Sequence, residues 1–210
     1  QMDVAVENNV KATAEAESLF GIAKAMSDFL VLQIGSGIGA ALVANGEVLR
    51  GNTNMAGEIG HLLLDIGGTQ CDCGRRGCLQ SSLCILGIEH ITHMPFEQVV
   101  AKAESGDQEC MLLLDTTATK LAQWVANLTN LYDPSLVIVC GEMVDQWDKL
   151  LQYIKERHER FMWQPGKARL NIQKSGFSQY DLPIVSAAAV ILSKFIVANI
   201  IIREKVGMTK

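Results

Sequence analysis

The stretch Cys71-Asp72-Cys73-Gly74-Arg75-Arg76-Gly77-Cys78 constrains this chain more than any other feature, because it sets three thiols within eight residues. Its two glycines let the backbone fold tightly enough for all three sulfurs to face one point. Zinc takes four tetrahedral ligands of sulfur and nitrogen type, and His61, ten residues before Cys71 and directly after Gly60, is the nearest fourth donor. A set of His61, Cys71, Cys73 and Cys78 closes the coordination shell. It would hold structure together and leave no position for an activated water. Three thiolates against one dication leave net negative charge, which Arg75 and Arg76 are placed to offset. The plain alternative is a group of reduced loop cysteines beside a surface histidine.

The choice between metal site and disulfides depends on the compartment. The remaining cysteines, Cys84, Cys110 and Cys140, are scattered among apolar neighbours. The first residues, 1–11, carry acidic and amide side chains where a secretory signal needs a basic start and an apolar run, so a cytoplasmic setting with reduced thiols is expected. With 210 residues, 49% hydrophobic and 20% charged, the chain can bury a core as one large domain or two small ones, and disordered or collagen-like classes are excluded. The net charge of −5 leaves no basic footprint for a phosphate backbone, so DNA is not a partner of this chain alone. Residues 182–202 are apolar over a membrane-spanning length, but Lys194 and Asn199 interrupt them; they read as a core or interface helix, not as a membrane span.

Along the chain, residues 12–20 read as a helix stopped by Gly21, and residues 29–34 as a strand. Glycines 35, 37 and 39 break that strand before a second run, residues 40–44, and Asn45-Gly46 turns it into Val48 and Leu49. Residues 51–80 show no sustained period, as a loop held by something other than a core would. Helical patterns cover 96–104 and 111–131 and stop at Asp133-Pro134. A strand at 136–140, a helix at about 144–161, a strand at 170–172 and a long helix opened by Pro183 complete an α/β layered domain without internal repeats.

Gly57-Glu58-Ile59-Gly60-His61 followed by Cys71-x-Cys73-Gly74-x-x-Gly77-Cys78-Leu79 resembles the signature of the ROK family of repressors and sugar kinases. The likeness extends to Gly35-Ser36-Gly37-Ile38-Gly39, similar to the family's second phosphate-loop hairpin. Tyr132-Asp133-Pro134, with the strand after it, is similar to the family's nucleotide-side strand, and Ala187-Ala188-Ala189 to its closing helix. The resemblance implies an actin-like, ribonuclease H-like C-terminal lobe with a zinc-binding loop over residues 1–210. The N-terminal lobe and any winged-helix DNA-binding domain are expected to lie outside it. Asp65-Ile66-Gly67-Gly68-Thr69 spells the family's first phosphate loop, yet it falls inside the proposed metal loop and reads as a coincidental turn.

Carried over residue by residue, the family's Glu-Asn-Asp segment is Glu7-Asn8-Asn9 here. The resemblance implies sugar contacts at Asn8, Asn9, Glu58, His61 and Gln80, with His61 holding zinc by one ring nitrogen and a sugar hydroxyl by the other. Asn9 stands where the kinases have their general base, and an amide cannot take up a proton at neutral pH. Gln80 replaces another carboxylate, Glu142 replaces a glycine beside the nucleotide, and Ser186 replaces a glycine before Ala187. Each has a plain reading as well: Asn8 and Asn9 as helix caps, Gln80 as a solvated side chain, the glycine run as a tight turn. The sequence therefore points to the sugar-sensing, oligomer-forming part of a NagC-like ROK transcriptional regulator. Structural zinc, a sugar or amino-sugar ligand and a homodimer through residues 182–202 are expected, with no ATP and no phosphotransfer. The rival readings are a sugar kinase fragment and an inert structural domain.

Overall fold

The computed structural model describes residues 4–164 and 170–207, with side chains described as far as 194. Residues 195–202, the distal part of the apolar run expected at a dimer interface, lie outside the described side chains. The elements are α1 (Asn9–Leu19), β1 (Phe29–Ile34), β2 (Ile38–Ala44), β3 (Glu47–Val48), α2 (Gln80–Leu83), α3 (Ile85–Thr92), α4 (Phe96–Glu104), α5 (Gln108–Tyr132), β4 (Leu136–Cys140), α6 (Glu142–Gln146), α7 (Leu150–Arg157), β5 (Asn171–Lys174) and α8 (Asp181–Gly207).

The five strands form one mixed sheet in the order β3-β2-β1-β4-β5. The meander β1-β2-β3 is antiparallel, whereas β4 lies parallel to β1 and β5. Side chains alternate across a strand, and that alternation sorts the core into two layers. Leu30, Leu32 and Ile34 of β1, with Val137 and Val139 of β4, face the large cluster built with α3, α4, α5 and α7. Phe29 and Val31, with Leu136 and Ile138, face the smaller cluster under α1 and α8. Every residue of β4 is buried, as expected of a parallel strand covered on both faces. The α/β class is as the sequence implies.

Local chemistry sets several boundaries. Asn45 and Gly46 both have positive φ, the conformation a tight two-residue hairpin turn requires. Asp107 caps α5 by accepting from the Cys110 N–H at 2.9 Å, so that helix starts earlier than its apolar period suggests. It ends where Asp133 turns left-handed before Pro134.

The fold differs from the sequence expectation at two places. Residues 81–95 have no element assigned to them from sequence, yet α2 and α3 fill most of that span; a Cβ at Gly87 would come within 2.8 Å of the Gln80 and Ser81 backbone, so glycine permits two short helices to pack together. The single helix expected at 144–161 is divided into α6, α7 and a 3₁₀ turn (His158–Phe161). Trp147 leaves helical geometry at the first break and is buried in the core. Among the described residues no helix is long and apolar enough to cross a membrane.

Candidate functional site

The ends of α1, β1 and β2 and the irregular segment after β3 converge on a cleft of about 250 Å³, lined by Asn8, Asn9, Glu58 and Gln80 together with Gln33 and residues 36–40. Asn8 serves two purposes. Its Oδ1 accepts from the Val10 and Lys11 N–H groups at 3.0 and 3.2 Å, capping α1, while its Nδ2 donates to Glu58 Oε1 at 3.3 Å. Asn9 opens the helix beside it, its side chain left free of the cap.

Glu58 reaches the cleft because Gly57 runs hard against β2. The Ala40 N–H donates to the Gly57 carbonyl at 3.0 Å, and a Cβ at Gly57, whose φ is +91°, would lie 2.0 Å from the Ala40 carbonyl oxygen. The preceding loop is tied to α1 by charge. Arg50 Nε meets Glu7 Oε2 at 2.9 Å, Arg50 also pairs with Glu15, and the buried Lys11 ammonium donates to the Asn54 carbonyl at 2.5 Å. Burial alone would raise the Glu7 pKa, but hydrogen bonds from the Asn8 N–H, Arg50 and Asn54 outweigh it and hold the carboxyl below its ordinary range. A depressed folded-state pKa means stability that is present above the unfolded value near 4.5 and lost as pH falls through the folded one. Glu7→Gln is therefore expected to lower Tm near neutral pH and to reduce its fall between about pH 5 and 3; parallel wild-type and variant melting curves across that range would contradict the assignment.

The loop between Glu58 and Gln80 carries the thiols. One donor atom from each of His61, Cys71, Cys73 and Cys78 lies within 4.8 Å of all the others. The Cys73 and Cys78 sulfurs are 3.6 Å apart, and Cys71 Sγ lies 3.7 Å from His61 Nδ1. A zinc–sulfur distance of about 2.3 Å and tetrahedral angles give edges of roughly 3.6–3.8 Å, so both the donor set and its spacing suit that ion. Hydrogen bonds from the Arg75 N–H and guanidinium pull the Cys73 pKa down to about 6, while burial pushes Cys78 up to about 11. Arg75 also donates to the His61 carbonyl at 2.9 Å, whereas Arg76 turns to the Gly68 carbonyl. Of the two arginines expected to offset thiolate charge, only Arg75 is placed against these sulfurs.

The residues expected at the sugar site divide accordingly. Asn8, Asn9, Glu58 and Gln80 share the cleft, and His61 is directed onto Cys71 and is not among the lining residues. Gln80 is wedged between the two regions: its Nε2 points to Cys71 Sγ at 3.9 Å, and its Oε1 fits only because Gly60 has no Cβ. It is more than a solvated amide. Residues 65–69 form a turn, Gly68 N–H to the Asp65 carbonyl at 3.1 Å, inside the loop between His61 and Cys71 and apart from any named strand. Ser186 faces Thr13 across the contact of α1 with α8, their hydroxyl oxygens 3.5 Å apart. Gln33 was missed by sequence reasoning, although a lone polar residue in the run Phe29–Ile34 was the available signal. The Arg50 network left none, since its partners lie 35 and 43 residues away.

The sequence model described as the ROK family matches residues 1–192. A glucokinase of Halalkalibacterium halodurans is 29% identical over 182 residues, covering 77% of this chain and 55% of that protein. A xylose repressor of Caldicellulosiruptor bescii is 27% identical over 174 residues, 74% of this chain and 44% of the repressor. Among solved structures, a ROK hexokinase from Thermus thermophilus superposes with a TM-score of 0.77 at 25% identity, covering 88% of this chain and 63% of the hexokinase. The chain thus spans about half the length of these curated relatives, which include both kinases and repressors. A match that runs from the N-terminal segment through the cleft, the cysteine loop and the whole sheet places the chain in the ROK family.

Proposed function

We propose that this chain is the sugar-binding, oligomer-forming C-terminal lobe of a NagC-like transcriptional regulator, stabilised by structural zinc on His61, Cys71, Cys73 and Cys78 and incapable of phosphotransfer. The relatives include both functional classes, so the decision rests on the residues. The observation that carries it is the amide at Asn9 on the lining of the cleft, where ROK kinases place the aspartate that deprotonates the acceptor hydroxyl. The amides of Asn8, Asn9 and Gln80 can donate to and accept from sugar hydroxyls, and the Glu58 carboxylate can accept from them. A His61 that ligates zinc through Nδ1 keeps Nε2 for a further hydroxyl. Zinc itself would supply order to a loop with little regular structure, through a closed coordination shell. Exposed Ile184 and Ile191 on α8 support a homodimer through that helix, and DNA would be reached through a domain outside this chain. The cysteine pattern, a compact His/Cys donor set plus three thiols among apolar neighbours, supports a cytoplasmic setting.

A kinase reading is favoured by one feature, the retained glycine turn between β1 and β2. Calorimetry on the full-length protein with hexoses and N-acetylated amino-sugars tests the sugar reading. Saturable binding is expected, weakened roughly tenfold to hundredfold in Glu58→Ala by loss of a charged hydrogen-bond partner. Binding of no sugar, with zinc retained, would leave only the structural-domain reading.

A further inference from the structure

Neither Arg50 nor the carboxylates it holds line the cleft, yet they join two of its walls. One wall is the start of α1, capped by Asn8; the other is the segment 49–58, which leaves the sheet after β3 and ends on Glu58. Arg50 stands at the root of that segment and reaches Glu7, just before α1, and Glu15 within it. Its Nε donates to Glu7 Oε2 at 2.9 Å and its second arm to Glu15 Oε1. The Glu7 and Glu15 side chains are only 6% and 7% exposed, and the other Glu15 oxygen is buried with no hydrogen-bond partner among the described residues, so the guanidinium is the donor on which that carboxylate depends. Glu7 passes the restraint on. Its Oε1 accepts from the Asn8 N–H at 3.0 Å and from Asn54 Nδ2 at 3.3 Å, and Lys11 of α1 donates to the Asn54 carbonyl. Asn8 Nδ2 in turn donates to Glu58 Oε1 at 3.3 Å. The contacts thus form a closed circuit, from Arg50 through Glu7 and Asn8 to Glu58, and back along the segment to Arg50, whose carbonyl accepts from the Ala56 N–H at 3.1 Å.

We propose that Arg50 is a positioning residue for the cleft: by clamping Glu7 and Glu15 it fixes the separation of Asn8 from Glu58, and so prepares the site for its ligand without touching it. The inference rests on the sugar reading for the identity of that ligand and on the hydrogen-bonded circuit for the role of Arg50. Residues 51–55 are exposed, so polar contacts and not apolar burial hold the segment against α1. A ligand that bridges Asn8 and Glu58 would otherwise have to order both walls as it binds. Removing the guanidinium leaves two buried carboxylates unpaired, which the segment relieves by moving off α1 to admit water, carrying Glu58 with it. A guanidinium presents its donors as a fixed planar fork, suited to two acceptors at set positions, whereas an ammonium is a single mobile point charge.

The test compares full-length wild type, Arg50→Ala, Glu58→Ala and the double variant by calorimetry with hexoses and N-acetylated amino-sugars. Arg50→Ala is expected to weaken sugar binding roughly tenfold or more, and the loss should shrink to about twofold once Glu58 is alanine, because a residue acting through Glu58 then has little left to position. A side chain that merely supports the fold would cost the same factor in both backgrounds. Such additivity overturns the proposal, as does binding by Arg50→Ala within about twofold of wild type. Should Arg50→Ala fail to fold, Arg50→Lys keeps the charge and loses the fork, and the same contrast between backgrounds is expected. If wild type binds none of these sugars, the sugar reading is retired and hydrogen exchange on wild type and the Arg50 variant decides the role of Arg50. Faster exchange confined to residues 7–11 and 50–58 supports the clamp; exchange equal to wild type, or faster throughout the chain, overturns it.

Discussion

Replacing Cys78 with serine, or stripping the protein with a strong chelator, is expected to lower Tm by roughly 10 °C or more. Loss of a structural metal is among the few single changes that cost more than about 4 kcal/mol, and for a chain of this size each kcal/mol moves Tm by roughly 2–4 °C. The site of the loss explains its size. From Gly51 to Leu79 the chain has one short 3₁₀ turn and two isolated bridges, Leu63 with Cys78 and Gln70 with Arg76. Cys78 and Leu79 are nonetheless fully buried, so the loop is anchored in the core at its far end. Without a metal the buried Cys78 retains a raised pKa and little to bond with except its neighbouring sulfur. The loop bears Glu58 at one end and Gln80 just past the other, so both walls of the cleft loosen with it. Elemental analysis should return one zinc per chain in wild type and markedly less in the variant; a metal-free protein with unchanged melting would contradict this assignment.

Gly57→Ala is expected to destabilise the fold by about 2–5 kcal/mol, the sum of a left-handed backbone penalty and overpacking against an unyielding neighbour. That neighbour is backbone: the new Cβ would stand 2.0 Å from the Ala40 carbonyl oxygen within β2, where no rotamer change relieves it. Either β2 or the segment bearing Glu58 must shift, so binding at the cleft should fall together with stability. Gly46→Ala provides the contrast. Gly46 also has positive φ, +78°, but a Cβ there meets nothing within 4 Å, leaving only the conformational cost of about 1–2 kcal/mol. Melting curves that give both variants the same loss would show that the contact under β2 does not carry the effect.

What the sequence made legible follows the range of the interactions involved. The meander was readable because its signals are local: apolar runs, a glycine break, and Asn45-Gly46 at the turn. So was the cysteine cluster, whose members Cys71, Cys73 and Cys78 lie within eight residues of sequence and come together with His61 in the fold. The cap at Asn8 was legible, whereas its second contact, to Glu58, joins residues 50 positions apart and was not. Helix α3 was hidden because Gly87 weakens a helix locally, and the reason for tolerating it, close packing on α2, is tertiary. The split between α6 and α7 was hidden likewise, since the burial of Trp147 overrides a continuous apolar period. The pairing of Arg50 with Glu7 and Glu15, and of Ser36 with Glu142, joins residues 35 to 106 positions apart. No pattern in one sequence discloses such partners. Glu142 shows the difference plainly, since the sequence marks it as a departure from glycine and the fold supplies the amide it meets.

The central claim, sugar binding without phosphotransfer, is tested most directly by measuring ATP consumption by the full-length protein in the presence of the sugar it binds. Loss of a general base costs about 10²–10⁴ in rate, so with Asn9 in the cleft the expected result is calorimetric sugar binding accompanied by turnover at least that far below the ~1–100 s⁻¹ typical of kinases. Sugar-dependent ATP consumption within that range would contradict the account and identify the chain as part of a sugar kinase.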